Sequence, residues 1–408
     1  MTTNDIKILH ESIIGRNIPL KMEFEPKDLT FQYAHKPYID QRVPIWEMYD
    51  GKGALDFSKQ YFTMEALSDG TIYFRLFADN DIDYIAYSKN SDDWVITNND
   101  DEGSVNIKIN VSKGDIIKWK GLGSSFCNSP QGYSTISNFA STCDVNIYGN
   151  IMSLLCEQPV SEFIRVLPQN SSRFGQLFSG GYVEDIEDTV PLKVISAENL
   201  IIPCETAERY MCTYMFHNCT SLTTAPSILP ATTLTEYCYS YMFQGCTSLT
   251  AAPALPATTL AENCYYEMFY GCTSLTIAPA LPATTLANYC YCDMFGGCTS
   301  LTTAPELPAT TLADYCYQHM FNGCTSLTTA PELPATTLVY CCYDRMFYGC
   351  GSLNYIKCLA TDIEATNCTG TWVSDVAPTG TFVKNPNMSS WETGSNGIPS
   401  GWTVENFS

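Results

Sequence analysis

TLADYCYQHMFNGCTSLTTAPELPAT, residues 311–336, is the phrase whose reading decides the fold, because it returns all along the C-terminal half of the chain. Met-Phe pairs stand at Met215, Met242, Met268, Met294, Met320 and Met346, so the period is 27 residues once and 26 thereafter. The longer interval has a visible source: Ser227-Ile228-Leu229-Pro230 holds one residue more than Ala254-Leu255-Pro256. Self-similarity at a fixed period of about 20–50 residues marks a solenoid, in which each unit buries its apolar face against its neighbours.

Within a unit the spacing predicts a helix. Thr311 with Asp314, Thr233 with Glu236 and Thr259 with Glu262 have the form of a capping box, although Thr337 is followed by Tyr340 and breaks it. Gly245, Gly271, Gly297, Gly323 and Gly349, with Asn218 in the first unit, fit a left-handed residue past a helix end. About ten residues lie between start and stop, roughly three turns. Leu312, Cys316 and Met320 form an i, i+4, i+8 stripe that Tyr317 and Phe321 widen. Asp314, Gln318, His319 and Asn322 stand where the units differ, on the opposite arc, so one apolar face packs and one polar face meets water. After Gly323 the sequence reads as a turn and a short strand, limited by Pro331 and Pro334. One helix and one short strand per unit is an α/β solenoid of the leucine-rich-repeat kind.

The rest of the chain divides around this array. Residues 44–157 predict an antiparallel β-sandwich: Tyr61–Leu67, Asp69-Gly70 and Thr71–Phe77 read as strand, tight turn and strand. Trp94–Thr97, Val105–Val111, Ile116–Lys120 and Val145–Leu155 continue the series, and 105–111 alternates as a half-buried strand does. The solenoid is expected over 158–353, as six units after a degenerate first one, where Phe174-Gly175-Gln176-Leu177-Phe178 precedes the acidic insert 184–188. Residues 354–408, in which the period dissolves, are expected as a C-terminal cap, because an end unit lacks a neighbour. Residues 1–43 carry no period and are expected as an attachment segment.

Charge narrows the function. The chain has 408 residues, with 43 acidic and 21 basic side chains and a formal net charge of −22. Nucleic-acid affinity comes mainly from Lys and Arg, so a phosphate-binding surface is not expected, nor is docking on anionic lipid. All but four of the basic residues lie in 1–200, and no lysine stands between Lys193 and Lys357. The first residues, Met1 to His10, lack the basic and apolar regions of a secretory signal, and no stretch approaches the ~18 apolar residues of a membrane span. The expectation is a soluble chain made in a reducing cytoplasm.

The units, written Cys-Tyr-x-x-Met-Phe-x-Gly-Cys-Thr-Ser-Leu-Thr-x-Ala-Pro-x-Leu-Pro-Ala-Thr-Thr-Leu, resemble BspA-type leucine-rich repeats. These occur in surface proteins of gut Bacteroidetes, in some protists and in phages of Bacteroidetes. The segments 61–67, 149–155 and 397–402 resemble that group as well, so the resemblance covers about 44–408. It implies binding and adhesion rather than catalysis and transfers no site residues. The usual bacterial members carry an export signal, and residues 1–43 match nothing in the group.

Twenty cysteines need a reason in a reducing compartment. Cys238, Cys264, Cys290, Cys316 and Cys342 form one column; Cys219, Cys246, Cys272, Cys298, Cys324 and Cys350 form another. Small apolar filling of stacked units is the reading taken; disulfides between adjacent units and metal binding are the alternatives. Asp79, Asp81 and Asp83 resemble the start of a calcium loop, but Tyr84 and Asn90 stand where Gly and Glu are needed, so a solvated turn is expected there and at 98–103. The column Tyr239, Tyr265, Tyr291, Tyr317 and Tyr343 reads as structural, with a binding surface as the alternative. The ligand-binding candidates are the changing positions Tyr241, Glu267, Tyr270, Asp293, His319, Asn322, Arg345 and Tyr348, with a plain solvent face as the alternative. There is no Gly-x-Ser-x-Gly, phosphate loop or His-Glu-x-x-His, so no enzyme, cofactor, catalytic residue or metal is expected.

The function expected is that of a non-enzymatic virion structural and binding protein of a Bacteroidetes phage: a head fibre, capsid decoration or tail-associated protein. Residues 1–43 would meet other virion proteins, the solenoid a glycan or host surface, and the chain would be a homo-oligomer, extracellular after lysis. The alternatives are a cell-surface adhesin of a bacterium or protist and a cytoplasmic scaffold.

Overall fold

Each unit closes one coil of a solenoid, but the coil contains no α-helix. The expected helix is a ribbon of successive turns. Along 235–246 the amides of Cys238, Ser240, Met242, Gln244 and Cys246 bond back to carbonyls three residues earlier on their own coil. The intervening amides of Tyr237, Tyr239, Tyr241, Phe243 and Gly245 reach Glu262, Cys264, Tyr266, Met268 and Tyr270 of the next coil at 2.8–3.2 Å. Every fourth residue is left-handed: Tyr315, His319 and Gly323 have φ of 58°, 55° and 72°. The same three places are left-handed from Tyr210 to Asn218 and from Asn367 to Asp375.

Energetics favour the ribbon. A left-handed non-glycine residue costs about 1–2 kcal/mol. A helix of about ten residues would leave four N–H and four C=O groups unpaired at its ends and is marginal on its own. The ribbon pairs alternate amides within and between coils, at about 0.5–1.5 kcal/mol net each. The α/β expectation is therefore corrected to a mostly-β solenoid. Its capping boxes are corrected too: Thr233, Thr259 and Thr285 bridge one another across coils. Leu312, Cys316, Met320 and Cys324 are all buried because the period is four; a helix would have turned that row by about 120° over twelve residues.

The computed structural model describes residues 61–77, 82–98, 105–123, 125–126, 136–155, 173–183, 186–204, 206–388 and 391–407. The expected attachment segment 1–43 lies outside them, as do Asp79, Asp81 and most of 98–103. In the sandwich, strands β1 (Phe62–Ala66), β2 (Gly70–Leu76), β3 (Ile82–Lys89), β4 (Val95–Asn98), β5 (Val105–Val111), β6 (Ile116–Gly123), β7 (Asn138–Ser141) and β8 (Val145–Asn150) form two antiparallel sheets, β8-β1-β6-β3-β4 and β5-β2-β7. Between them Phe62, Phe74, Trp119 and Phe139 pack with centroids 4.5–5.9 Å apart. The stretch 145–155, expected as one strand, ends at Asn150, whose side chain caps a 3₁₀ turn over Ile151–Leu154.

The solenoid grows out of this sheet. Strands β9 (Gly181–Val183) and β10 (Asp188–Val190) pair antiparallel. Strands β11 (Val194–Ser196) and β12 (Leu200–Ile201) then pair parallel with β8. Ser196 bridges Thr224 of the next coil, and that row continues to Ala251, Ile277 and Thr303. Another begins where β13 (Thr206–Ala207) meets β14 (Thr233–Leu234). The degenerate unit is thus a working coil covered on one side by the sandwich: Phe139 N–H bonds to Leu177 O, and Phe178 N–H to Met215 O. Arg173, 2% exposed, clamps it to the following coil through Glu208 at 2.8 Å.

A continuous core runs from Phe62 to Trp402. Phe216, Phe243, Phe269, Phe295, Phe321 and Phe347 stack at 5.2–5.7 Å, and Phe178 meets Phe216 at a tilt, 5.1 Å away. The tyrosine column from Tyr239 to Tyr343 is buried, at 5.9–6.1 Å. Both columns meet Trp372. The expected C-terminal cap proves to be more solenoid. Strands β15 (Tyr355–Cys358), β16 (Thr381–Lys384) and β17 (Thr403–Asn406) stack in parallel. The left-handed places recur at Asn367, Thr371 and Asp375, 26 residues after Cys341, Arg345 and Gly349.

The 18 described cysteines are free and buried. In the second column each thiol donates to a phenylalanine carbonyl of the previous coil, as Cys298 Sγ does to Phe269 O at 3.1 Å and Cys324 Sγ to Phe295 O at 3.1 Å. Cysteine therefore serves as a small filler that also supplies a weak donor. Burial pushes these thiols up, Cys290 to about 12 and Cys264 and Cys298 well above the usual thiol range. Thiolate is the reactive form, so the expected outcome is negligible iodoacetamide labelling of these 18 in the native protein and complete labelling in denaturant without reductant, read by mass spectrometry.

One surface group near the sandwich turns is strongly acidic. Asp115 is held by Lys89 Nζ at 2.7 Å, by Asn90 Nδ2 at 2.7 Å and by the Ser112 amide at 2.8 Å. These hydrogen bonds, Lys89 first, lower its pKa from 3.8 to about 2. A depressed pKa stabilises above the unfolded value and loses that contribution as pH falls through the folded one. Lys89 is 33% exposed, so solvent screening leaves about 1 kcal/mol. Asp115→Asn is expected to lower stability by that amount at pH 7 and to make no difference near pH 2, checked by urea titration at both.

Candidate functional site

The ribbon presents its changing side chains in straight columns, because coil-to-coil bonds fix every second residue and the left-handed places repeat. Tyr241, Glu267, Asp293, His319 and Arg345 form one column, each left-handed with φ of 50–58°. Tyr270 and Tyr348, 43% and 39% exposed, stand with half-buried Asn322 in the adjacent column. The structure thus brings all eight candidates onto one open face. It also adds a row beneath them that sequence reasoning left out: Tyr266, Cys292 and Asp344, equivalent by period to Gln318, which was counted among the changing positions.

Side chains on this face bind one another across coils. Tyr241 stacks on Tyr214 at 4.3 Å and meets the edge of Tyr266 at 5.2 Å. Gln244 Nε2 donates to Glu267 Oε2 at 2.5 Å. Burial raises the Glu267 carboxyl above its ordinary range, with the Asp293 charge adding and hydrogen bonds from Tyr266 and Gln244 opposing. His319 lies between two carboxylates, with Nδ1 3.0 Å from Asp293 and Nε2 3.7 Å from Asp344. Gln318 Nε2 donates to Asp344 at 3.0 Å. Cys292, 2% exposed, lies 3.5 Å from Gln318 Oε1, and burial with the Asp293 and Glu267 charges pushes its thiol up, the reverse of an activated nucleophile.

Neighbouring places shape the face further. Gly296 sits under Tyr270, where a Cβ would come 2.7 Å from the ring. Asparagine and aspartate at left-handed places, Asn263, Asp293 and Asn367, were the signal that could have disclosed the ribbon. Among the described residues no cluster of His, Cys, Asp and Glu is arranged to hold a metal, and no helix is long and apolar enough to cross a membrane. A recess of about 190 Å³ on the outer face of β5-β2-β7, between Tyr73, Lys108, Asn138 and Val183, is smaller than pockets for drug-sized molecules, about 300–1,000 Å³.

No family model matches this chain, and no curated protein matches it. A solved structure, a leucine-rich repeat protein from Bacteroides ovatus ATCC 8483, matches over 52% of this chain and 75% of that one, at 14% sequence identity and a TM-score of 0.19. The solenoid of this chain is defined by its own coil-to-coil bonds.

Proposed function

We propose that this chain is a non-enzymatic binding and structural protein whose ribbon face adheres to a surface ligand. The observation that carries the reading is the ladder itself: side chains that differ from coil to coil stand in register on a ribbon whose amides bond within and between coils, the arrangement solenoids use for extended recognition. Tyrosine supplies contact area at low entropic cost, and Tyr270 and Tyr348 are the exposed anchors.

The finer reading is a virion protein of a Bacteroidetes phage, attached through residues 1–43 and oligomeric on the particle, with a glycan or host envelope as target. Its support is the BspA-type repeat phrase. A cell-surface adhesin of a bacterium or protist shares that support. Antibody labelling of purified particles and of host membranes separates the two: gold on virions is the expected result, and gold confined to cell envelopes sinks the virion reading. Tyr270→Ser with Tyr348→Ser is expected to reduce adhesion of the recombinant protein to host cells at least about tenfold, the loss of two interface anchors; unchanged adhesion contradicts a role for this face.

A further inference from the structure

The outermost row of the ribbon contains Arg209, Glu236, Glu262, Asn288, Asp314 and Tyr340, all exposed and one coil apart. Its inner neighbours include Tyr210, Tyr237, Tyr289 and Tyr315. At the N-terminal end one guanidinium already occupies this row. Arg209 lies over the Tyr210 ring at 5.0 Å, and its Nη2 pairs with Glu236 of the next coil at 3.1 Å. Tyr237 stacks on Tyr210 from the other coil at 4.9 Å. The chain therefore displays how the row receives a cation: a ring face beneath, a carboxylate beside.

Three coils further on, the same parts recur without a built-in arginine. Tyr289 and Tyr315 stack at 4.2 Å, and Tyr340 closes on Tyr315 edge-on at 5.0 Å. Asp314 is exposed beside them and Glu262 stands on the near side. No lysine stands between Lys193 and Lys357, and only Arg209 and Arg345 are Lys or Arg there, so in the row beyond Glu236 the charges are the two carboxylates of Glu262 and Asp314. Stacked rings with flanking carboxylates attract guanidinium through cation–π and charge together. Arginine suits such a site better than lysine because its planar group stacks and pairs at once.

We propose that the row from Glu262 to Tyr340 docks an arginine-rich segment of a protein partner, with one guanidinium at the Asn288 place, over Tyr289 and beside Asp314, in the manner of Arg209. This rests on the binding reading above but uses a different row from Tyr270 and Tyr348, so the two can fail separately. The probe is fluorescent octa-arginine, with octa-lysine beside it, titrated against the full chain by anisotropy. The expected result is saturable binding, at least about fivefold tighter for octa-arginine, with Asp314→Asn plus Tyr315→Ser weakening it about tenfold. Asp92→Asn plus Asp93→Asn on the sandwich removes more charge and is expected to leave binding unchanged. Equal weakening by both variant pairs, equal affinity for the two peptides, or no saturation overturns the proposal. Thermal unfolding verifies that each variant is folded, and cell adhesion of Asp314→Asn plus Tyr315→Ser reads the ribbon's adhesive role independently.

Discussion

Alanine at Phe295 is expected to destabilise the solenoid by about 3–5 kcal/mol, the range for removing a buried phenylalanine. Phe295 is 0% exposed and stacks on Phe269 and Phe321, each at 5.7 Å. It therefore belongs to two coil interfaces at once. Solenoid stability is approximately a sum of unit and nearest-neighbour interface contributions, so a cavity there weakens the coupling between the coils on either side. The sequence supplies reporters for both. Trp119 lies in the sandwich core, and Trp372 and Trp402 lie near the C-terminal end. Urea unfolding of single-tryptophan versions is expected to give coincident transitions with Phe295 present and separated ones in Phe295→Ala. A loss below about 1 kcal/mol with coincident transitions contradicts the stacked column.

Trp372→Ala is expected to cost a similar 3–5 kcal/mol, but locally. Its ring is 0% exposed, joins the tyrosine and phenylalanine columns at 6.1 and 6.2 Å, and stacks on Trp391 at 5.7 Å. Its indole N–H donates to Gly397 O at 2.9 Å, so it ties the last coil to the array. Without it, residues 354–407 are expected to open while the coils before them persist, since end units open at lower cost than central ones. Limited proteolysis followed by mass spectrometry checks this. Cuts confined to that end and an intact fragment through Cys350 are the expected outcome; cuts spread evenly through 206–353 contradict it.

The solenoid was legible in the sequence because identical phrases at 26 residues must stack identical side chains. The burial of Leu312, Cys316, Met320, Tyr317 and Phe321 was legible too. The conformation was not, since a stripe at i, i+4 and i+8 fits a helix and a four-residue ribbon equally over three turns. Cys324, one more step of four, was the discriminating residue, and it was assigned to a turn after a glycine stop. Left-handed tyrosines such as Tyr237 and Tyr315 defeat propensity, because bulky residues rarely adopt positive φ; bonds between coils, which a single unit does not display, hold them there. The coil 354–379 was hidden for the opposite reason: its backbone keeps the period while its residues change. β3 escaped because its buried apolar residues, Ile82, Ile85 and Ala86, do not alternate. The ligand candidates were found as changing positions, but their partners Gln244 and Asp344 came to light only with the coils in register.

Backbone NMR of the folded chain, labelled selectively at Tyr, Asp and Gly, tests the ribbon most directly through the Hα–HN couplings and carbon shifts of Tyr289, Asp293 and Gly297. Left-handed values at all three, with a negative φ at Tyr291 between them, are what the ribbon requires. Right-handed helical values running unbroken from Tyr289 through Asp293 would contradict the account.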